Sequence, residues 1–168
     1  MKIAELLLAE LEREAVGTRR CLERVPEGRD DWKPHEKSMP FGYLAALVAT
    51  MPGWAAAMVT QDELDLAAPG ELQTRTIHSN RELLEAFDKA VARAREALSS
   101  TTDEHLTTTS WRLLVQGHVV SEQLRYVAIR DGAFNHMAHH RGQLTVYLRL
   151  NEIPVPSLYG PTADEKAF

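Results

Sequence analysis

The chain of 168 residues is short of several things, and each shortage removes a class of answers. It has one cysteine, Cys21. That excludes an internal disulfide and any zinc or iron–sulfur site built on several thiolates, and it suits a reducing compartment. It has no basic excess: 19 Lys and Arg stand against 24 Asp and Glu, a formal charge of -5. An acidic surface matches phosphate backbones poorly, so no nucleic-acid partner is expected. Neither a Walker A loop nor a GxGxxG turn is present, and HExxH fails because Met137 follows His136. Long apolar runs are missing as well. Leu6–Ala9 is bracketed by Glu5 and Glu10, too short for a signal-peptide core. Ser38–Gln61 carries no charge, but its prolines, glycines and small alanines read as a helix buried in a core rather than a membrane span. The expectation is a cytoplasmic protein with no membrane segment.

What is there resembles an ordinary globular chain: 44% apolar and 26% charged residues, and a length that suits one domain spanning 1–168. Ile3, Leu7, Leu11, Ala15, Thr18, Leu22 and Val25 recur at steps of three and four, which predicts a first helix over Ile3–Val25. Pro26, Gly28 and Pro34 break the pattern, leaving a loop to Met39 anchored by Trp32. Leu44, Leu47, Val48, Met51, Ala55 and Met58 mark a second helix that Pro52 bends. Asp62–Ile77, with Pro69-Gly70, reads as a connector long enough to cross between non-adjacent helices. Ser79 followed by Glu82 has the form of a capping box and opens a third helix through Leu98. Thr101 and Glu104 offer a cap for one further turn, and Thr107–Val120 reads as extended or irregular. A fourth and longest helix is expected from Ser121 to about Asn151, after which Pro154, Pro156 and Pro161 exclude regular helix. The fold expectation is therefore all-α, a four-helix bundle with a long crossover connection and an irregular C-terminal strap.

Chemistry concentrates in the fourth helix, where three of the seven histidines, His136, His139 and His140, fall within five positions. His136 and His140 have the i, i+4 spacing that stacks two side chains on one face. At about 100° per residue, Ile129, Ala133, His136, His140, Gln143, Leu144 and Tyr147 share an inward-looking seam. Two imidazoles on such a seam are how bundles build metal sites; two core histidines hydrogen-bonded to neighbours is the competing reading. His139 points away from His136 and reads as a supporting or solvent-facing residue. Cys21 reads as a packed thiol, and Trp32, Trp54 and Trp111 as core or interface anchors.

The WKPHEKSM loop (Trp32–Met39), the GYLAALVATMPGW helix (Gly42–Trp54), Trp111, and FNHMAHHRGQLTVYLRLN running into EIPVPSLYGPTADE (Phe134–Glu165) resemble the DinB/YfiT-like superfamily. That resemblance implies a four-helix bundle, commonly a homodimer, of a kind regarded as metalloenzymes. It implies that His136 and His140 are ligands to a divalent metal, nickel or zinc. It also implies activity of hydrolase or transferase type, some relatives using low-molecular-weight thiols such as bacillithiol or mycothiol. The family's third ligand is a histidine on helix two in a pattern like LAxHVAxxPxW, and the matching position here is Leu47. A leucine cannot coordinate a metal, which leaves the site degenerate unless His35, His118, Asp164 or Glu165 is recruited. The alternative reading is a non-catalytic homodimeric binding protein that has lost its metal.

Overall fold

The computed structural model describes residues 2–68 and 77–166. Helix α1 (Ile3–Leu22) buries Ala4, Leu7, Leu11, Glu14, Thr18 and Cys21, the stripe that three- and four-residue spacing produces. Helices α2 (Phe41–Thr50) and α3 (Pro52–Thr60) meet at Met51 with a bend of 43°. Proline is tolerated there because it opens α3, where its missing N–H has no intrahelical acceptor to lose. Among the described residues no single helix is long and apolar enough to cross a membrane, and the bent pair α2–α3 lies largely in the core. Helix α4 (Asn80–Ser100) starts where Ser79 accepts a hydrogen bond from the Glu82 N–H, 3.1 Å away. Helix α5 (Asp103–Thr108) is capped by Thr102, one residue after the expected Thr101.

The all-α expectation requires correction. A mixed three-stranded sheet is present, in which β1 (Glu63–Asp65) runs parallel to β2 (Ser110–Val115) and β2 pairs antiparallel with β3 (His118–Leu124). The hairpin turn is Gln116-Gly117, both at positive φ (51° and 77°), the geometry a two-residue turn needs to match strand twist. The Asp65 carboxylate accepts from the N–H groups of Gln116 (3.0 Å) and Gly117 (2.7 Å), pinning β1 to the hairpin. The fourth helix consequently begins at Arg125, not Ser121: no proline marks the boundary, and pairing with β2 decides it. The connector expected over Asp62–Ile77 holds β1 at its start, and residues 69–76 lie outside the described residues.

The last helix runs as α6 (Arg125–Ala128), a π-helical segment (Ile129–Asn135) and α7 (His136–Leu150). Its start is fixed by the buried Arg125 guanidinium, which donates to the carbonyls of Met58 (2.7 Å) and Gln61 (2.5 Å) at the end of α3 and pairs with Asp62. Those carbonyls have no partner within their own helix. One core packs α1, α3, α4, α5, Trp111 and the π segment; a second packs α1, α2, α4, α7 and Val155 and Leu158 of the C-terminal segment. That segment has no regular element and is tied by charge. Glu165 pairs with Arg20 and Arg24 and accepts the Ser157 N–H at 2.9 Å, and Asp164 pairs with Arg149.

Candidate functional site

The rotation of α7 about its axis is set on its α1 side. Arg141 is fully buried there, donating to Glu14 Oε2 (2.7 Å) and Thr18 Oγ1 (2.9 Å), and Tyr159 donates its hydroxyl to the same Glu14 oxygen at 2.6 Å. Burial alone raises a carboxyl pKa, but the bonds from Tyr159 and Arg141 outweigh it and leave that of Glu14 lowered. With Arg141 locked against α1, its neighbour His140 is carried round to a different face of the helix.

There the sequence-predicted pair does come together. His136 and His140 stack one turn apart, ring centroids 4.6 Å apart, with their Nε2 atoms facing each other at 2.9 Å. His140 is buried and His136 half-buried. The far nitrogen of His140, Nδ1, lies 2.8 Å from Gln143 Oε1. An amide oxygen only accepts, so this contact is a hydrogen bond in the tautomer that carries its proton on Nδ1. His136 has a backbone hydrogen bond with Gly132, in the π segment, and its ring stands edge-on to Trp54 at 5.8 Å. Gly132 is close to α3: a Cβ there would lie 2.6 Å from Met58 Cε. The pKa of His136 is lowered by burial and then by the charge of His140, against the Gly132 bond; that of His140 is lowered by burial, against the Gln143 bond. Both rings are therefore held toward the neutral form that a metal or a proton-accepting role requires.

Leu47 packs with Met51 and Met137, and Met39 and Trp54 lie against the same cluster, which Trp54 joins to His136. This wall supplies no imidazole or carboxylate. None of the other candidate donors fills the gap. His35 is exposed and accepts the Lys37 N–H; His118 is exposed at the start of β3; Asp164 and Glu165 are committed to arginines. Among the described residues no group of three or more His, Cys, Asp or Glu is placed to hold an ion. The two imidazoles themselves fit one. Nitrogens bonded to a common ion at about 2.1 Å lie about 3.0 to 3.4 Å apart, so the present separation, which is a hydrogen-bond distance, needs only a small opening of the rings to admit one. His136 and His140 offer two nitrogen donors, and the described residues place no third His, Cys, Asp or Glu beside them.

Sequence reasoning placed Gln143 on the right seam but gave it no role, and it missed Gly132 and the Arg141–Glu14–Tyr159 cluster altogether. Cys21 is fully buried and its pKa is pushed up to about 11 by that burial, so it is no nucleophile. Trp54 Nε1 is buried without a hydrogen-bond partner among the described residues.

The whole chain, over residues 2–167, matches the family model described as the DinB family. Two solved structures share its fold. A DinB-like protein from Bacillus cereus is 22% identical, with a TM-score of 0.70 over 94% of this chain and 98% of that one. A DinB-like protein from Bacillus subtilis is 18% identical, with a TM-score of 0.68 over 91% and 97% of the two chains. No curated protein matches the chain. With the family model covering nearly every residue and the same fold in both structures, the chain belongs to the DinB family.

Proposed function

We propose that this chain is a metal-dependent enzyme, of hydrolase or small-thiol transferase type, whose divalent ion is held by only two protein donors, His136 and His140. The carrying observation is the pair of Nε2 atoms 2.9 Å apart, with the other nitrogen of each ring taken up by Gln143 or set beside the Gly132 backbone. Catalytic zinc sites usually have three protein ligands, so an ion held by two exchanges readily, and a donor on the substrate, such as a thiolate, completes the set. When bound, such an ion polarises a substrate group or lowers the pKa of a ligand water. The chain's own part is to keep both imidazoles neutral, to shut out water with Leu47, Met51 and Met137, and to offer the unpaired Trp54 N–H to a bound ligand. The same proposal includes a cytoplasmic location and a homodimer.

The test is elemental analysis of untagged protein beside the Leu47→His variant. Substoichiometric metal in the native protein and close to one ion per chain in the variant is the expected result. Equal, substoichiometric metal in both overturns the metal reading. The aliphatic wall at Leu47 favours a second reading, a non-catalytic homodimeric binding protein in which the histidines serve only as hydrogen-bonding groups. Tightly held stoichiometric metal in the native protein excludes that version.

A further inference from the structure

We propose that residues 154–165 form a charge-latched strap that opens as a unit and, when closed, seals the Arg141–Glu14 pair that fixes the turn of α7. Nothing in it depends on whether the histidine pair holds an ion.

The segment is shaped by its own bonds. Thr162 Oγ1 donates back to the Val155 carbonyl at 2.9 Å, and Ser157 Oγ to the Gly160 carbonyl at 2.8 Å. Asp164 accepts the Val155 N–H at 2.8 Å, and Glu165 accepts the Ser157 N–H at 2.9 Å. A surface loop whose ends are joined in this way keeps its form when it leaves the surface. The ties that hold it to the helices are of another kind. Arg20 donates to the Ser157 carbonyl (2.7 Å) and Arg24 to the Pro154 carbonyl (2.8 Å); both pair with Glu165, and Arg149 pairs with Asp164. Each of these ties has an arginine of α1 or α7 on one side. Glu165 holds two of them at once, so loss of that one carboxylate loosens both.

Two things lie beneath the strap. Leu158 sits over Gly17, where a Cβ would come within 3.1 Å of its Cδ2; with the Arg20 and Arg24 contacts, this lays the strap along the 17–24 stretch of α1. Cys21, the chain's one thiol, belongs to that stretch and is fully buried, in the core cluster on which Val155 and Leu158 pack. Tyr159 then sets its hydroxyl on Glu14 and its ring over Arg141, with the guanidinium carbon 5.2 Å from the ring centroid. It is otherwise exposed, so it closes the pair from the water side. Lifting the strap would uncover Cys21 and wet the pair in one movement, and charges that meet water hold each other less firmly.

The experiment uses the full chain under native conditions at neutral pH. Cys21 serves as the reporter: its rate of labelling by dithiodipyridine, a neutral thiol reagent, follows opening, and hydrogen exchange read by mass spectrometry locates it. In the native protein the labelling rate should be flat at low urea, because a local opening exposes little new surface, and should rise with salt, which screens the latch. Glu165→Gln should speed labelling about 10-fold, the scale of a bond to a charged group. It should raise amide exchange in the strap and in α7 around Arg141 and leave α4 unchanged. Tyr159→Phe, which keeps both latch carboxylates, should raise exchange in α7 with less effect on labelling. A labelling rate that follows urea as steeply as global unfolding overturns the proposal. So does a Glu165→Gln variant whose exchange rises evenly along the chain, or whose labelling is unchanged. Faster labelling with α7 exchange unaltered in both variants overturns the strap's hold on α7.

Discussion

Two imidazoles, one buried and one half-buried, make the folded chain sensitive to acid. Their pKa values are lowered by burial, so the unfolded chain, with ordinary histidines near 6.5, binds protons more readily than the folded one. Stability is full above about pH 6.5 and declines as pH falls from there through the lowered folded values, below which this contribution changes no further. Thermal melts of the native protein should therefore drop between pH 7 and pH 5, and a His136→Gln, His140→Gln double variant should drop less. An equal drop in both would show that the pair is not the source. At this scale the histidines were legible because i, i+4 spacing is a property of any helix. The contact between Gln143 and His140 was not legible, since it depends on which way one side chain turns.

At the scale of elements, the site depends on how α7 is turned. Arg141 and Glu14 form a nearly dry ion pair between α7 and α1, with side-chain exposures of 2% and 8%. Removing one partner of such a pair leaves the other charge buried, at a cost of about 3–5 kcal/mol. Arg141→Ala should lose about that much in urea denaturation, far more than Arg95→Ala, whose partner Glu12 is exposed like itself. Comparable small losses for both would mean that α7 is held by its apolar contacts alone. The helices were readable from their apolar periodicity and from Ser79 and Pro52. The sheet was readable only in part: β2 lies within Thr107–Val120, expected as extended or irregular, but β1 is three residues long and the edge strand β3 is almost wholly exposed, so no burial pattern announces them. Ser121–Leu124 is compatible with either state, and only pairing with Ser110–Leu113 makes it a strand.

For the whole molecule, the proposed homodimer finds support in exposed apolar side chains gathered about the hairpin and the start of α6: Val115, Val119, Val120, Leu124, Tyr126 and Val127. Size-exclusion chromatography with light scattering should give twice the 18.9 kDa chain mass. A monomer at every concentration tested would remove the homodimer from the proposal.

The sequence by itself determined most of the helical segments, the single buried thiol and the stacking of His136 on His140, because each follows from local periodicity or from residue type. Tertiary structure decided the sheet, the π segment that sets Gly132 beside His136, the Arg141–Glu14 lock and the absence, among the described residues, of a replacement third donor. These depend on which distant side chains meet across the core, and spacing along one chain carries no record of that.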